Sequence, residues 1–553
     1  MANLAPIASW TADDVLHLGR RAGFGLTPEA AAALAAQDPG TTVDAWVDGT
    51  GLSTALFDSV WADRADPVWL SAVSGSSGTA PAVNQPHRYA VDGADAWRNS
   101  LSRAQASWAF RMQYHPYAFA ERMALFFHNL FATGATKVDD AALMLQQIET
   151  LRAGAVKRFD DLLVDVSKDP AMEIWLDSVT NNAAGSSIPN ENYAREVMEL
   201  YSLGADNGYS QVDITQLALA LSGWSFVVDG ADISVSPADG SKVAARGRFQ
   251  LYDGSALPAN TYRWNNLDTA ATTVPGRHVG ATRGSAITFL GQTLDVSAPA
   301  AGTGWAAGEN ALRSIFTSRA TNAAQFLASR LILHFVSPLA RLGATDVSDV
   351  AALIESAAFD LRAVMKTLLK SQFFFDPANR FALVEGPMSW LVRSARMLGM
   401  DLAAADAASP KGFPAWAMVA PYFDTGGMKL LDPSGPNGWK EDVGWLNSNT
   451  VRYRTRLAAA VALGETFSQG GGSVPLVPAD PSAWFPAPPA SPLDVHDRLV
   501  QLLQPAPIPT AVRDAWLAGL WPAGTAFAWD AAGQKRAREL AFVILCSPSS
   551  QVY

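Results

Sequence analysis

Hydrophobic residues recur at helical spacing through most of this sequence, and that periodicity constrains the fold more than any other feature. Helix-start signals support it: Thr11 precedes Asp13 and Asp14 as an N-cap would, and Thr27 precedes a proline. The predicted helices cover about 100–130, 139–154, 158–167, 190–203, 210–223, 310–336, 347–373, 385–400, 493–504 and 531–546. The pattern predicts a mainly α fold, a large multi-helix domain.

Two stretches interrupt the helical periodicity. Residues 225–309 are rich in Gly, Ser, Thr, Asp and Pro and contain short strand-like runs, which predicts a small β-hairpin excursion. Residues 403–492 include a Pro- and Gly-rich run and predict long irregular loops, a lid and a linker. The predicted organisation is an N-terminal helical part of the core (1–224), a β-hairpin insertion (225–309), a second helical part (310–402), the lid and linker (403–492) and closing C-terminal helices (493–553).

Composition limits the classes of function. The chain has 553 residues, 49% of them hydrophobic and 17% charged, which is enough apolar material for a large core. A net charge of −11 without any basic run argues against nucleic acid as a partner. A single cysteine, Cys546, excludes a disulfide framework and a cysteine-based zinc site. We also expect no membrane span, no signal peptide at the N-terminus and no cofactor.

The segment 190–204 carries the densest group of ionisable side chains. Helical spacing stacks Glu191, Arg195 and Glu199 one turn apart, whereas Glu196 lies outside that stack. One interpretation is catalytic, with Glu196 as general acid or base, Glu199 or Glu191 as the second carboxylate and Arg195 as their electrostatic partner. The other is a buried ion network in which Arg195 bridges two glutamates and ties helices together.

A second candidate is the pair His128 and Asn129 within an apolar helix. The histidine is a possible proton shuttle near neutral pH and the asparagine an amide donor. The alternative is a core histidine that is hydrogen-bonded to a carbonyl group or to a glutamate of the 190–204 helix.

Further polar and aromatic residues are candidates for substrate binding. Trp224 and Trp439 lie beside irregular segments, where an indole ring either stacks on a sugar or covers the core. Arg20 and Arg21 precede the Thr27 helix start and are candidates for binding an anionic group there. The complete set of predicted substrate-binding residues is Asn192, Asn129, Trp224, Trp439, Arg20 and Arg21. Ser210 and Asp213 are interpreted as a helix capping box and not as a nucleophile site.

Several blocks are similar to a bacterial family, the domain of unknown function numbered 1800. These blocks are His17–Gly25, Arg122–Asn129 with Phe131–Thr133, Asn190–Gly204, Gly208–Asp213 with Gly223-Trp224, Leu361–Val364 and Ser547-Pro548. The resemblance covers about residues 13–553. It implies an architecture, a periplasmic or extracellular location and a sulfatase-like protein as a possible partner, but no particular reaction.

The chain departs from the family pattern at four histidine positions. Leu130 and Tyr201 stand where the family has histidine, and the blocks nearest to two further family histidines are Tyr252–Gly254 and Arg319–Thr321. Their loss argues against a histidine-bound metal, so no metal ligands are predicted.

The leading hypothesis is a hydrolase or lyase that uses paired glutamates on a polar, carbohydrate-like substrate, which is either small or polymeric. The alternative is a non-catalytic secreted binding or scaffold protein, with a sulfatase-like protein as its partner. An enzyme should place Glu196 or Glu199 on the floor of an open, aromatic-lined cleft with a shifted pKa. A scaffold should bury the cluster with every oxygen paired.

Overall fold

The structure is mainly α-helical, as the hydrophobic periodicity predicts. The computed structural model describes residues 3–54, 96–138, 141–181, 183, 188–229, 233–235, 242–244, 248–251, 261–262, 286–295, 306–400, 426–469, 472–475 and 480–553. The block Tyr252–Gly254 and the first part of the predicted lid, 403–425, lie outside these residues.

The helices before the β-rich region are α1 Ala12–Arg21, α2 Pro28–Ala35, α3 Pro39–Asp48, α4 Ala96–Tyr114, α5 Ala118–Leu130, α6 Ala135–Val138, α7 Ala141–Ala153, α8 Phe159–Ser167, α9 Pro170–Trp175, α10 Asn192–Glu196 and α11 Gln211–Ala220. A π-helical turn, Val197–Ser202, continues α10. The helices after that region are α12 Ala306–Ser318, α13 Ala320–Phe335, α14 Asp346–Ser356, α15 Leu361–Lys370, α16 Gln372–Phe375, α17 Pro387–Met397, α18 Ser448–Leu463, α19 Pro492–Leu503, α20 Thr510–Leu520 and α21 Ala531–Cys546.

The strands are short and antiparallel. They are β1 Trp224–Asp229, β2 Ile233–Val235, β3 Lys242–Ala244, β4 Arg248–Leu251, β5 Thr261–Tyr262, β6 Ala286–Phe289, β7 Gln292–Asp295, β8 Thr466–Gln469 and β9 Gly472–Pro475. Strand β1 pairs with β4 on one side and β5 on the other, with Trp224 opposite Leu251, and β2–β3, β6–β7 and β8–β9 are hairpins. The predicted β-hairpin excursion is therefore present within the helical fold.

Local capping explains where several helices begin. Thr11 and Asp14 form a capping box on α1, and Thr27 caps α2 with a proline in its first turn. Ser210 and Asp213 form the predicted capping box on α11. The free oxygen of Asp213, Oδ1, accepts the Leu290 N–H at 2.8 Å, so the cap also anchors the β6–β7 turn.

Helices α3, α6, α9, α18 and α20 were not among those predicted. Helix α18 lies within the span 403–492, and local signals account for it: Asn447 forms a capping box with Thr450, and Gly464 ends the helix in the left-handed conformation at φ +74°. The neighbouring Gly- and Pro-rich residues predict irregular structure, and these signals for a helix lie among them. How the chain divides into domains remains a prediction.

Helix α5 lies at the centre of the core, and every one of its residues is buried. Its carboxylate Glu121 is fully buried and accepts hydrogen bonds from Arg111 Nε at 3.0 Å and Arg152 Nε at 2.7 Å. Burial alone would raise the pKa of Glu121, but Arg152 and Arg111 together lower it to about 2. This carboxylate therefore holds α4, α5 and α7 together as an ion triad.

We expect Glu121→Gln to lower the free energy of unfolding by about 3 kcal/mol or more, because it removes the buried charge that Arg111 and Arg152 share. Urea denaturation at neutral pH measures this. Glu149→Gln is the matched control, since Glu149 pairs with Arg152 from a position with 30% side-chain exposure, and it should cost less than about 1 kcal/mol. Equal losses in the two variants would contradict a central role for the triad.

Candidate functional site

The predicted stack of ionisable groups forms a partly exposed network between α10 and α11. The Glu191 carboxylate accepts hydrogen bonds from Thr215 Oγ1 at 2.6 Å, Gln211 Nε2 at 2.7 Å and Arg195 Nη2 at 3.2 Å. Arg195 Nη1 reaches Glu199 Oε1 at 3.4 Å. The hydrogen bond from Thr215 contributes most to a lowered pKa of Glu191, and its effect outweighs burial. Arg195 therefore bridges the two glutamates, but at a partly exposed position, whereas the structural interpretation expected a buried network.

Glu196 differs from its neighbours because it accepts no hydrogen bond from any residue in the described part of the chain. Burial, followed by repulsion from Glu199, raises its pKa. The π-helical turn begins directly after it, and Ser202 Oγ donates to the Val197 carbonyl at 2.6 Å. Asn192 donates to the Leu176 carbonyl at 3.3 Å. Glu196 is thus the least paired carboxylate of this segment.

We expect Glu196→Gln to leave the melting temperature unchanged or raised at neutral pH, because it removes a carboxylate that burial and Glu199 destabilise in its charged form. Glu191→Gln, by contrast, should lower the free energy of unfolding by about 1–2 kcal/mol through weakened charge-assisted hydrogen bonds. Differential scanning calorimetry compares the two variants. A large loss of stability in Glu196→Gln would show that this carboxylate has a stabilising partner.

His128, Asn129 and Trp439 meet at the end of α5. The imidazole of His128 is fully buried, and neither ring nitrogen has a partner among the described residues. It packs edge-on against Trp108 and Trp439, with ring centroids 5.5 Å and 5.2 Å away. Burial lowers the pKa of His128 to about 3, so the ring is neutral at physiological pH. Asn129 Oδ1 accepts the Trp439 N–H at 2.6 Å and so fixes the loop against the helix.

A histidine–carboxylate pair lies beside this junction. His334 Nδ1 is 3.4 Å from Glu441 Oε1, and Arg330 Nη2 is 3.6 Å from the other oxygen. Burial lowers the pKa of His334 to about 4, although Glu441 acts in the opposite direction. Burial would raise the pKa of Glu441, but His334 and Arg330 keep it below its usual value. The pair is therefore a neutral imidazole next to an ionised carboxylate.

The residues Asn129, His334, Trp439, Glu441 and Trp445 line a common cavity of about 40 Å³, and we name this group the Trp439 site. A water molecule needs roughly 10–15 Å³ of such space, so the cavity is large enough for one or a few waters.

Three further polar side chains line the same cavity. Arg122 donates to Ser389 Oγ at 2.5 Å and to the Tyr553 hydroxyl at 2.7 Å. The Tyr553 hydroxyl in turn donates to the His334 carbonyl at 3.2 Å. These contacts hold α5, α13 and α17 in place around the histidine–carboxylate pair.

A cleft of about 400 Å³ is also lined by Trp439. Its walls include the indole rings of Trp439 and Trp175 together with Lys429 and Asn447. Asp432 also lines the cleft and is already engaged by Lys429 Nζ at 2.6 Å. Trp439 therefore lines both this cleft and the cavity of the Trp439 site.

The remaining predicted residues lie elsewhere. Trp224 begins β1 and is buried in the core, where its indole ring covers Gly308. Arg21 is also buried, donates to the Asn379 carbonyl at 2.7 Å and stacks on Tyr553 with 4.4 Å to the ring centroid. Arg20 lines a separate groove. The structure thus joins Asn129, His128 and Trp439, and separately Glu191, Arg195 and Glu199.

Sequence reasoning missed the His334–Glu441 pair. His334 sits in an ordinary amphipathic helix, and Glu441 follows in a stretch that predicts only irregular structure; 107 positions separate them. It also missed two buried acids, Asp169 directly before α9 and Glu173 within it. Burial raises the pKa of Asp169 to about 7 and that of Glu173 well above its usual value. No local signal distinguishes these acids from ordinary helix-capping carboxylates.

Taken together, the fold and the sites define a mainly α-helical protein with polar clusters enclosed in its helical core. The chain belongs to the family described as "Protein of unknown function (DUF1800)", whose family model matches residues 17–552. A search of curated proteins and one of solved structures found no match. Among the described residues, no helix has both the length and the apolar character to cross a bilayer, and no three His, Cys, Asp or Glu side chains are grouped to hold a metal ion.

The buried histidine predicts a pH dependence of stability. Unfolded, the His128 imidazole takes up a proton near pH 6.5, but in the folded chain it does so only near pH 3. Between these values the unfolded state binds more protons, so the free energy of unfolding falls as the pH falls, by about 1.4 kcal/mol per pH unit.

His128→Phe keeps a ring between the tryptophans and removes this titration. As the pH is lowered from about 6.5 to about 5, the free energy of unfolding should fall by about 2 kcal/mol less in the variant than in wild type. Urea unfolding at the two pH values measures the difference. Parallel losses in both proteins would mean that His128 is protonated normally in the folded state.

Proposed function

We propose that this protein is a hydrolase or lyase that acts on a polar, carbohydrate-like substrate at the Trp439 site. One observation carries the proposal: His334 is paired through Nδ1 with Glu441, while its Nε2 is buried and has no partner among the described residues. Asn129 and Trp439, both candidates from the sequence, line the cavity beside this pair.

The protonation states of the pair suit a general base. A neutral imidazole that donates its Nδ1 proton to a carboxylate keeps a lone pair on Nε2, which can accept a proton from water or from a substrate. The ionised Glu441 would then stabilise the imidazolium that forms. The 3.4 Å separation of Nδ1 and the carboxylate is long for a hydrogen bond, as is common in sites without a bound substrate.

The adjoining cleft supports a polar, ring-shaped substrate. The indole rings of Trp175 and Trp439 supply flat apolar surfaces, and Lys429, Asp432 and Asn447 supply a few polar groups. Small-molecule sites commonly combine such apolar walls with a limited number of polar groups. A ligand in this cleft would contact a residue that also lines the cavity of the His334–Glu441 pair, since Trp439 lines both spaces.

The paired glutamates remain a second catalytic candidate within the same proposal. The raised pKa of Glu196 favours a protonated carboxyl group that could act as an acid. The non-catalytic alternative is a periplasmic or extracellular binding or scaffold protein with a sulfatase-like partner. It is favoured by the pairing of Glu191 and Glu199 with Arg195, because those carboxylates are occupied in linking helices.

The test is an assay of product release from a panel of glycosides, polysaccharides and esters, scored for new reducing ends, acids and unsaturated products. We expect His334→Asn to lower turnover by about 10²–10⁴-fold, as for loss of a general base, with little change in melting temperature. His496→Asn is the matched control, because His496 is also buried and also contacts a carboxylate, that of Asp497 at 2.9 Å.

The outcomes separate the candidates. Loss of turnover in Glu196→Gln but not in His334→Asn would show that the paired glutamates, and not His334, are the catalytic residues. Absence of turnover on every substrate, together with oligosaccharide binding that His334→Asn leaves intact, would favour the binding protein. Equal activity in wild type, His334→Asn and Glu196→Gln would contradict both catalytic assignments.

A further inference from the structure

A second open space shares no lining residue with the cavity of the Trp439 site, and it contains an arginine, Arg20, that has no carboxylate partner among the described residues. It is a groove of about 530 Å³ between α1, the chain at Arg380 and Phe381, and the end of α19. Most of its wall is apolar, and Arg20 of α1 contributes the deepest charged group.

Arg20 is only 4% exposed, yet its hydrogen bonding is incomplete. Its Nε is buried and has no partner among the described residues. Its Nη1 makes one long contact, 3.5 Å to Gln504 Oε1. Gln504 is itself fixed by donating to the Leu26 carbonyl at 2.6 Å, so it cannot move closer without losing that bond. The guanidinium plane rests on Phe381, with 4.7 Å to the ring centroid.

The cations around Arg20 destabilise its charged form, and a bound anion would offset that effect. Burial is the main cause that lowers the pKa of Arg20 to about 9, and the nearby cations Arg393 and Arg21 lower it further. Glu385 acts in the opposite direction and raises the pKa of Arg20, but it is bonded to Arg393, with 2.7 Å between Arg393 Nη2 and Glu385 Oε2. A buried cation without a counter-charge is costly, and an incoming anion would remove that cost.

The other charged groups of the groove leave one positive charge to be neutralised. Arg380 is already paired with Asp14. Asp13 is exposed and lines the rim. A ligand with a single negative charge suits this arrangement better than a dianion, because a second negative charge would face Asp13 without a free cation.

We propose that this groove binds a small monoanionic organic acid, with its carboxylate on the guanidinium of Arg20 and its apolar body against Leu16, Phe381 and Pro505. A guanidinium group matches a carboxylate through two parallel hydrogen bonds, and Arg20 retains donors for them because its Nη1 makes only one long contact, 3.5 Å to Gln504 Oε1. The site is independent of the function proposed for the Trp439 site.

Benzoate and benzamide are the probes that test the site, because they share a ring and a shape but differ in charge. In isothermal titration calorimetry and thermal-shift assays on the full chain, benzoate should bind and raise the melting temperature, whereas benzamide should not. Arg20→Gln should weaken benzoate binding by at least about tenfold, since it removes a charge-assisted contact. Arg452→Gln replaces an exposed arginine of α18 and should bind benzoate as wild type does.

The melting temperature of Arg20→Gln without ligand is an independent measurement. Because Arg20 is buried without a counter-charge, Arg20→Gln should melt at or above the wild-type temperature, so weak binding in this variant would not reflect unfolding. Arg20→Lys retains the positive charge but lacks the paired N–H donors of a guanidinium group, so it should bind benzoate with intermediate affinity. Equal effects of benzoate and benzamide, or equal benzoate binding by wild type and Arg20→Gln, would overturn the proposal.

Discussion

Helix α5 is buried on all sides, and the arrangement of this fold depends on the bonds that three of its four polar side chains make inside the protein. The fourth, His128, packs between two tryptophans. Glu121 binds two arginines from α4 and α7, Arg122 binds Ser389 and Tyr553, and Asn129 accepts the backbone N–H of Trp439. Each of these bonds fixes the position of another element relative to α5. A buried polar group without a partner would cost a large part of the small net stability of a folded chain.

The same bonds create the Trp439 site. Asn129 holds the loop that contains Trp439 and Glu441, and Arg122 and Tyr553 hold the segment that contains His334. The histidine and the carboxylate are therefore brought together by contacts made along one face of α5, since Arg122 and Asn129 are seven positions apart and line the same cavity. The polar residues that keep the core in register are also the neighbours of the proposed chemistry, so a variant of Arg122 would change both stability and the site.

Local features were predictable because they depend on spacing within one helix or one turn. The bridge from Glu191 through Arg195 to Glu199 follows from positions four residues apart, and the capping box of Ser210 and Asp213 follows from a three-residue spacing. Helix α18 was missed although its cap and terminal glycine were present, since Gly- and Pro-rich neighbours dominated the interpretation of that region. The prediction that the Glu196 segment is a catalytic centre stays a prediction.

The sequence by itself determined the helical class, several of the helix starts and the family, because periodicity, capping residues and block order are properties of the chain. Only the tertiary structure decided which distant side chains meet. Arg20 and Arg21 are adjacent, but consecutive helical positions project in different directions, so one lines a groove and the other stacks on Tyr553. His334 and Glu441 are brought within 3.4 Å by packing around α5, and no local rule specifies a contact across 107 positions.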